Sequence, residues 1–345
     1  MTVTLGFGLL TGQLPPGAAG SVADEYRLIL DLASEAEDSG FDAVWVSEHH
    51  GAEDGYLPST LPVLAAVAAV TRRIRLGMAV ALAPFQPPLR FAEDCAVVDQ
   101  LSNGRLVVAL GAGWRRREFD WFGIPIGERV ARTTDLVAIC RAAWTGTPFS
   151  FDGAHTSIER ARVTPTPVGH LPIWLGGTVD AAAARAGRLG DGFFASPRAD
   201  LDAFRRGVRA FDAAAVAAGR DPARLALAFH VDGWVSPDGR IPPTVLAGMR
   251  HVADTYAAWH AADDGRATPV PAADEAAVRR RGFMGSPAEV IAQAHPWIDE
   301  FGGRDLHIVI RLHYPGVDGA ESADQIRRFA SEVLPALTAP VGSPG

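Results

Sequence analysis

The sequence of 345 residues contains no lysine, so arginine supplies all 32 of its basic residues. Against 40 acidic residues this gives a formal net charge of -8. A mildly acidic chain argues against nucleic acid or an anionic membrane as its main partner. No apolar run is long and charge-free enough to cross a bilayer, and the N-terminus lacks the basic and apolar regions of a signal peptide. We therefore expect a soluble cytoplasmic protein without a membrane or nucleic-acid partner.

Cysteine is also scarce, with only Cys95 and Cys140 present. The two lie far apart in apolar helical patterns and form no CxxC pair, which argues against a zinc site or a disulfide framework. Neither follows a predicted strand and no GxSxG elbow occurs, so nucleophilic catalysis has little support. A GxGxxG dinucleotide fingerprint is missing as well.

Short apolar runs alternate with longer helical patterns along the whole chain, giving about eight strand-like segments. The apolar runs are continuous, as in parallel strands that are buried on both faces. Eight βα units in a chain of this length predict a single-domain α/β fold over residues 1–345, the (β/α)8 TIM barrel. A doubly wound open sheet is the alternative.

One irregular zone, about residues 236–282, is rich in proline, alanine and charge and predicts an insertion before the last strand. It contains a predicted helix around Val245–His260. The insertion is either a mobile lid over the barrel mouth or a surface excursion without a role. Residues 338–345 are expected to form a disordered tail.

Catalytic groups of such barrels lie after the strands, and one apolar run ends there in Glu48, His49 and His50. Neighbouring strand residues point to opposite faces, so both histidines cannot face the pocket unless the strand has ended. HxH and HExxH spacings are missing, and a metal site is therefore disfavoured. A pocket imidazole can instead donate a hydrogen bond or move a proton. A satisfied structural histidine beside a carboxylate is the alternative.

Gly176, Gly177 and Thr178 follow another predicted strand and predict an anion site. The glycines let the backbone approach a ligand, and Thr178 can cap the helix that begins at about Val179. Phosphate is the natural guest, and an ordinary glycine turn is the alternative. Trp114 follows the fourth strand and could stack on an aromatic ligand, whereas at least two of Arg115–Arg117 are expected to be solvated.

Three stretches together resemble the bacterial luciferase-like family of flavin-dependent oxidoreductases: FDAVWVSEHHG, IRLGMAVALAPFQPPLRFAEDCAVVDQLSNGRLVVALGAGW and PIWLGGTVDAAAARAGRLGDGFF. The likeness covers most of the chain, and its central part is quite specific. The resemblance implies a (β/α)8 barrel with an insertion before the last strand, usually in a homodimer. It also implies reduced FMN or a deazaflavin coenzyme in the barrel mouth.

The resemblance implies roles for individual residues. His49 lies beside the flavin as a catalytic residue, Glu48 orients the histidine pair, and His50 lies at the edge of the cofactor. Ala79 and Val80 match a non-prolyl cis peptide that contacts the isoalloxazine ring. The other matched positions line the ring, the ribityl chain and the phosphate: Gly111, Ala112, Gly176, Gly177 and Thr178.

These observations predict a monooxygenase that uses reduced FMN, supplied by a separate flavin reductase, and dioxygen to oxidise a small organic substrate. A deazaflavin-dependent hydride-transfer enzyme on the same fold is the nearest alternative. A metal-dependent barrel hydrolase and a non-catalytic flavin-binding protein are more distant ones. Ala112 stands where luciferase has an arginine on the phosphate, which leaves FMN versus deazaflavin open.

Overall fold

The computed structural model describes residues 3–195, 200–264, 275–279 and 282–338. These residues form eleven strands. In chain order they are β1 (Thr4–Leu10), β2 (Ala43–Val46), β3 (Arg75–Leu82), β4 (Leu106–Gly111), β5 (Phe149–Asp152), β6 (Ser157–Ala161), β7 (Ile173–Gly177), β8 (Gly192–Ala195), β9 (Ala226–Val235), β10 (Gly282–Gly285) and β11 (Leu306–Arg311).

Eight parallel strands close into a barrel in the order β1, β2, β3, β4, β7, β8, β9, β11. The ring is closed because β11 pairs in parallel with both β9 and β1. β5 and β6 form a separate antiparallel hairpin, and β10 adds a parallel edge to β9. The predicted (β/α)8 barrel is confirmed, and the alternative of a doubly wound open sheet is wrong.

The same residues form twelve α-helices. They are α1 (Val22–Asp38), α2 (Thr60–Val70), α3 (Pro88–Ser102), α4 (Arg116–Trp121), α5 (Arg129–Ala143), α6 (Asp180–Leu189), α7 (Leu201–Ala217), α8 (Pro243–Asp264), α9 (Glu275–Arg279), α10 (Pro287–Phe301), α11 (Gly319–Glu332) and α12 (Leu334–Thr338). Within the described ranges, none of these helices has the length and apolar character needed to cross a membrane.

Local sequence defines several helix ends. α1 begins with a capping box, in which the Ser21 hydroxyl accepts the Asp24 N–H and the Asp24 carboxylate accepts the Ser21 N–H. α3 begins at Pro88, whose fixed φ suits a first helical turn. It ends at Asn103, which adopts the left-handed conformation with φ of 57°. The helix ends determine where the chain enters the next barrel strand and therefore which residues lie at the barrel mouth.

Side chains fill the interior of the barrel. Trp45 of β2 is fully buried and stacks on Trp174 of β7 with ring centroids 5.4 Å apart. Glycines on the neighbouring strands make room for the indole, because a Cβ at Gly6 would lie 2.6 Å from its Nε1 and one at Gly77 would lie 2.1 Å from its Cε3. The interior is thus a packed core, and the functional groups lie above it at the C-terminal ends of the strands.

The insertion before the last barrel strand contains the long helix α8, which extends beyond the predicted helix at Val245–His260. Residues 265–274 and 280–281 of this insertion lie outside the described residues, as do residues 339–345 of the predicted tail. Five features were not predicted from the apolar patterns: α4, the β5–β6 hairpin, α9, β10 and α10.

We expect Gly77→Ala to lower the free energy of unfolding by about 1–3 kcal/mol, because the added methyl group would overlap the Trp45 indole. Urea denaturation followed by circular dichroism measures this change. Gly127→Ala is the matched control, since a Cβ at that position meets no atom within 4 Å. Equal stability of the two variants would contradict the close packing of the barrel interior.

Candidate active site

The run Glu48-His49-His50 lies at the open end of β2, which ends at Val46. Because the strand stops before the histidines, strand alternation no longer fixes their directions. The two side chains diverge. His49 turns toward Glu118, whereas His50 turns toward Glu48 and two phenylalanine rings.

A buried carboxylate holds the His49 ring. Glu118 of α4 is 0% exposed, and its Oε1 lies 3.0 Å from the His49 Nδ1. The same oxygen accepts the backbone N–H of His50 at 2.9 Å and lies 3.7 Å from the Arg115 guanidinium. Because this oxygen acts as an acceptor, the His49 Nδ1 is the donor of the pair. The other ring nitrogen, Nε2, is then free to exchange a proton.

Glu48 contacts His50 and not His49. Its Oε1 lies 3.2 Å from the His50 Nε2 and accepts the backbone N–H of Leu82 at 3.3 Å. The carboxylate thus links the tip of β2 to the end of β3. The expectation that Glu48 orients both histidines is therefore wrong for His49, because the consecutive side chains project in different directions.

Three aromatic rings, here called the aromatic cover, surround His49. The ring centroid of His49 lies 5.1 Å from that of Tyr56, 5.3 Å from that of Tyr256 and 4.8 Å from that of Trp259. Tyr56 belongs to the loop after β2, whereas the other two belong to α8 of the insertion. The insertion helix therefore packs against the candidate site, and its movement as a lid stays a prediction.

Two contacts anchor α8 at the mouth. The His251 Nε2 lies 2.8 Å from the Asp54 Oδ2. The Arg115 guanidinium lies 4.3 Å from the Trp259 ring centroid and donates to the His50 carbonyl at 2.7 Å. Cation–π contact and hydrogen bond together tie the insertion to the β2 tip.

Trp114, the predicted stacking residue, lies in the loop between β4 and α4. Its ring stacks on His260 of α8 with centroids 4.0 Å apart and lies 6.2 Å from the His49 ring. Contact with an aromatic ligand stays a prediction. Arg116 and Arg117 are exposed, in agreement with the expectation that two of the three arginines are solvated.

Two phenol groups of the aromatic cover point at each other. The hydroxyl oxygens of Tyr56 and Tyr256 lie 3.3 Å apart, and the Tyr56 hydroxyl donates to the Ser47 Oγ at 3.0 Å. Burial raises the pKa of both tyrosines. Both phenols therefore stay protonated at neutral pH and can act as hydrogen-bond donors.

A second group of residues, here called the floor, lies toward the ends of β3, β4 and β7, and β3 is the neighbour of β2 in the barrel. The Ala79–Val80 peptide bond is cis, at the position that the family resemblance indicated. Val80 packs against two glycines, since a Cβ at Gly111 would lie 2.4 Å from its Cγ2 and one at Gly176 would lie 2.9 Å from its Cγ1. Ala112 follows directly after this floor. An apolar floor without projecting side chains suits a planar ring.

The turn after β7 exposes backbone donors. A Cβ at Gly177 would lie 2.3 Å from the Ala182 Cβ, so glycine lets α6 begin close to the strand. The N–H groups of Ala182 and Ala183 donate to the Val179 carbonyl, whereas those of Asp180 and Ala181, in the first turn of α6, have no carbonyl partner within the helix and are available to an anion. The predicted Thr178 cap is wrong, because the helix starts one residue later and Val179 occupies the N-cap without a side-chain hydrogen bond.

The floor and the turn together fit a planar cofactor with a phosphate tail. A metal centre has no such support, since no group of three or more His, Cys, Asp or Glu side chains among the described residues could hold an ion. The structure also adds Glu118, Tyr56 and Arg115 to the site. Glu118 lies 69 residues from His49 in the chain, and no local sequence pattern marks it.

Comparison with known proteins gives matches over most of the chain. An F420-dependent glucose-6-phosphate dehydrogenase from Nakamurella multipartita is 33% identical over 182 residues, which are 48% of this chain and only 50% of that protein. A protein of the same name from Nocardia farcinica is 28% identical over 331 residues, covering 90% of this chain and 95% of the relative. The crystal structure of the monooxygenase RslO1 from Streptomyces bottropensis has a TM-score of 0.83 and 28% identity, and the match covers 96% of this chain and 99% of that one.

The sequence model of one family, described as luciferase-like monooxygenase, matches residues 4–240. This range is more than half of the 345-residue chain and contains His49, the floor around Val80 and the turn after β7. The resemblance seen in the sequence is thereby confirmed. The chain belongs to the luciferase-like monooxygenase family.

Proposed function

We propose that this protein is an oxidoreductase that binds reduced FMN at the barrel mouth and uses dioxygen to oxidise a small organic substrate. One observation carries the proposal: Glu118 holds His49 under the aromatic cover, at the same end of the barrel at which Val80 packs against Gly111 and Gly176. Family membership supports the broader assignment to the oxidoreductases.

Different residues would contact different parts of the bound FMN. Val80 with Gly111 and Gly176 would contact the face of the isoalloxazine ring, and the N–H groups after Gly177 would hold the phosphate. When bound, reduced FMN would supply the electrons that reduce one oxygen atom of dioxygen to water, while the other oxygen atom is transferred to the substrate. Because Ala112 offers no charged side chain, backbone donors carry the phosphate contact.

His49 is the proposed proton-transfer group. Glu118 fixes its Nδ1 as the donor, so the ring keeps one orientation and presents Nε2 to the mouth. Glu118 is a positioning residue, since it acts through His49. The buried phenols of Tyr56 and Tyr256 add neutral polar groups beside the same ring, and their hydroxyl protons are engaged with Ser47 and with each other.

The aromatic cover would exclude water from the reacting atoms. Tyr56, Tyr256 and Trp259 bring apolar ring surface over His49, and Arg115 holds Trp259 in place. A site closed in this way would keep water from the reacting atoms and suppress side reactions.

Hydride transfer with a deazaflavin coenzyme is the second candidate. It is favoured by the 28% identity to the F420-dependent glucose-6-phosphate dehydrogenase of Nocardia farcinica over 90% of this chain. The same floor, turn and histidine would serve this chemistry.

The FMN proposal has two further parts. A separate reductase supplies reduced FMN, and the chain forms a homodimer.

We expect His49→Ala to slow the reoxidation of bound reduced FMN by dioxygen at least about a hundredfold, because the site loses its proton-transfer group. Stopped-flow spectroscopy measures the rate, and anaerobic titration of the same variant should give an FMN affinity within about twofold of wild type. His170→Ala is the control, since that side chain is 69% exposed. A normal rate in His49→Ala would sink the assignment of His49.

We expect reduced FMN to bind at least about tenfold more tightly than the reduced deazaflavin coenzyme. Trp114 and Trp259 lie at the mouth, so quenching of tryptophan fluorescence reports binding of either compound under anaerobic conditions. The opposite preference would replace the monooxygenase proposal by hydride transfer. Binding of neither compound would overturn the cofactor site itself.

A further inference from the structure

Arg311 is a buried arginine that the site described above does not use. It is the last residue of β11 and is 6% exposed. Alternate residues of this strand face the barrel interior, because Val309 packs with Trp45 and the His307 ring lies 4.7 Å from the Trp174 ring. By the same alternation Arg311 points into the barrel, at its C-terminal mouth.

The Arg311 guanidinium is poorly satisfied by the protein. A guanidinium has five N–H donors, yet among the described residues Arg311 makes one side-chain hydrogen bond, to the Thr11 Oγ1 at 3.4 Å. Its Nε is buried without a partner. Asp232 is its register neighbour on β9, and the two side chains form no direct ion pair. Burial raises the pKa of the Asp232 carboxyl and the Arg311 charge lowers it, so the two groups interact only through space.

Another arginine of this protein shows what a satisfied guanidinium looks like. Arg105, at the closed end of the barrel, donates five hydrogen bonds, to the Thr71 hydroxyl and to the carbonyls of Ser102, Ile74, Ala68 and Thr71. Its carbonyl and hydroxyl partners occupy all three nitrogen atoms. Arg311 has a comparable need, but it makes one long hydrogen bond and a cation–π contact with the Tyr314 ring at 5.7 Å. A cation–π contact occupies none of the N–H donors in the guanidinium plane, so the remaining donors are available to a ligand.

The charge of Arg311 affects buried histidines near the barrel mouth. The pKa of the His230 imidazole is lowered by burial and further by the Arg311 charge, so that ring stays neutral. Burial and Arg311 likewise lower the pKa of His313, to about 4. An arginine keeps its proton in such surroundings, and an unpaired buried charge is unfavourable. An anion from outside would remove this penalty and could accept two parallel hydrogen bonds.

The position of Arg311 separates it from the cofactor floor. Around the ring of eight strands, β11 is four strands away from β4 in either direction. Arg311 therefore stands on the wall opposite Gly111. An anion bound there would face the floor across the mouth, on the side that the proposed cofactor leaves open.

We propose that Arg311 binds an anionic group of the substrate, so that the substrate class is a small organic compound with a carboxylate, sulfonate or phosphate group. The proposal rests on the proposed function, because it takes the barrel mouth as the place where substrate meets cofactor. The recognising chemistry is an oxyanion against a guanidinium with unused donors.

Sulfate is the probe for this site, added to the cofactor-free protein at constant ionic strength with chloride as the replaced anion. We expect sulfate to raise the Tm of the wild-type protein by more than that of Arg311→Met, whose remaining shift reports the turn after β7 and the general stabilising effect of sulfate. Arg240→Met is the matched control and should behave like wild type, since that side chain is 86% exposed. Without sulfate, the Tm of Arg311→Met should equal or exceed that of wild type, because an unpaired buried charge has been removed.

Three results would overturn the proposal. The first is equal stabilisation of wild type and Arg311→Met by sulfate. The second is a marked loss of Tm in Arg311→Met without sulfate, which would show that the charge is paired within the protein. The third is weaker binding of reduced FMN or deazaflavin by Arg311→Met, which would assign the guanidinium to the cofactor. A wild-type protein that binds sulfate through Arg311 but neither cofactor would contradict the proposed function alone.

Discussion

The carboxylate of Glu118 is the contact on which the rest of the candidate site depends. One of its oxygens lies within hydrogen-bond distance of the His49 ring and accepts the His50 backbone N–H. These two contacts join α4 to the tip of β2. Arg115, next to the same oxygen, carries the connection onward to Trp259 of α8. A chain of contacts thus links two barrel loops and the insertion, and it holds the His49 ring in the orientation that the proposed proton transfer would use.

Missing side chains matter as much as the side chains that are present. Glycine at position 77 admits the Trp45 indole into the barrel interior, which gives the mouth a solid base. One layer higher, Gly111 and Gly176 leave space for Val80 and produce a floor without projections. Backbone packing therefore shapes the flat side of the mouth, whereas polar and aromatic side chains shape the side around His49. A planar reactant between these two sides would meet an apolar face and a proton-transfer group together.

Sequence patterns predicted the barrel because its strands are buried on both faces and appear as continuous apolar runs. They also predicted that His49 stands at a strand end, since that needs only the end of the apolar run. Contacts of His49 with residues from distant parts of the chain could not be predicted, because no local sequence pattern indicates them. Glu118 is 69 residues away from His49 and sits in a short arginine-rich helix that resembles a solvated turn. The N-cap was predicted at Thr178 because the predicted start of α6 was one residue too early. Arg311 was not predicted, since it ends an apolar strand and only the closed barrel shows to which side its side chain points.

The central claim is that the barrel mouth holds an isoalloxazine ring between the floor around Val80 and His49. A crystal structure of the protein with bound FMN tests this claim most directly. The account predicts the ring in van der Waals contact with Val80, its edge within hydrogen-bond reach of the His49 Nε2, and the phosphate on the N–H groups after Gly177. A ring bound away from His49, or a phosphate held by Arg311, would contradict it.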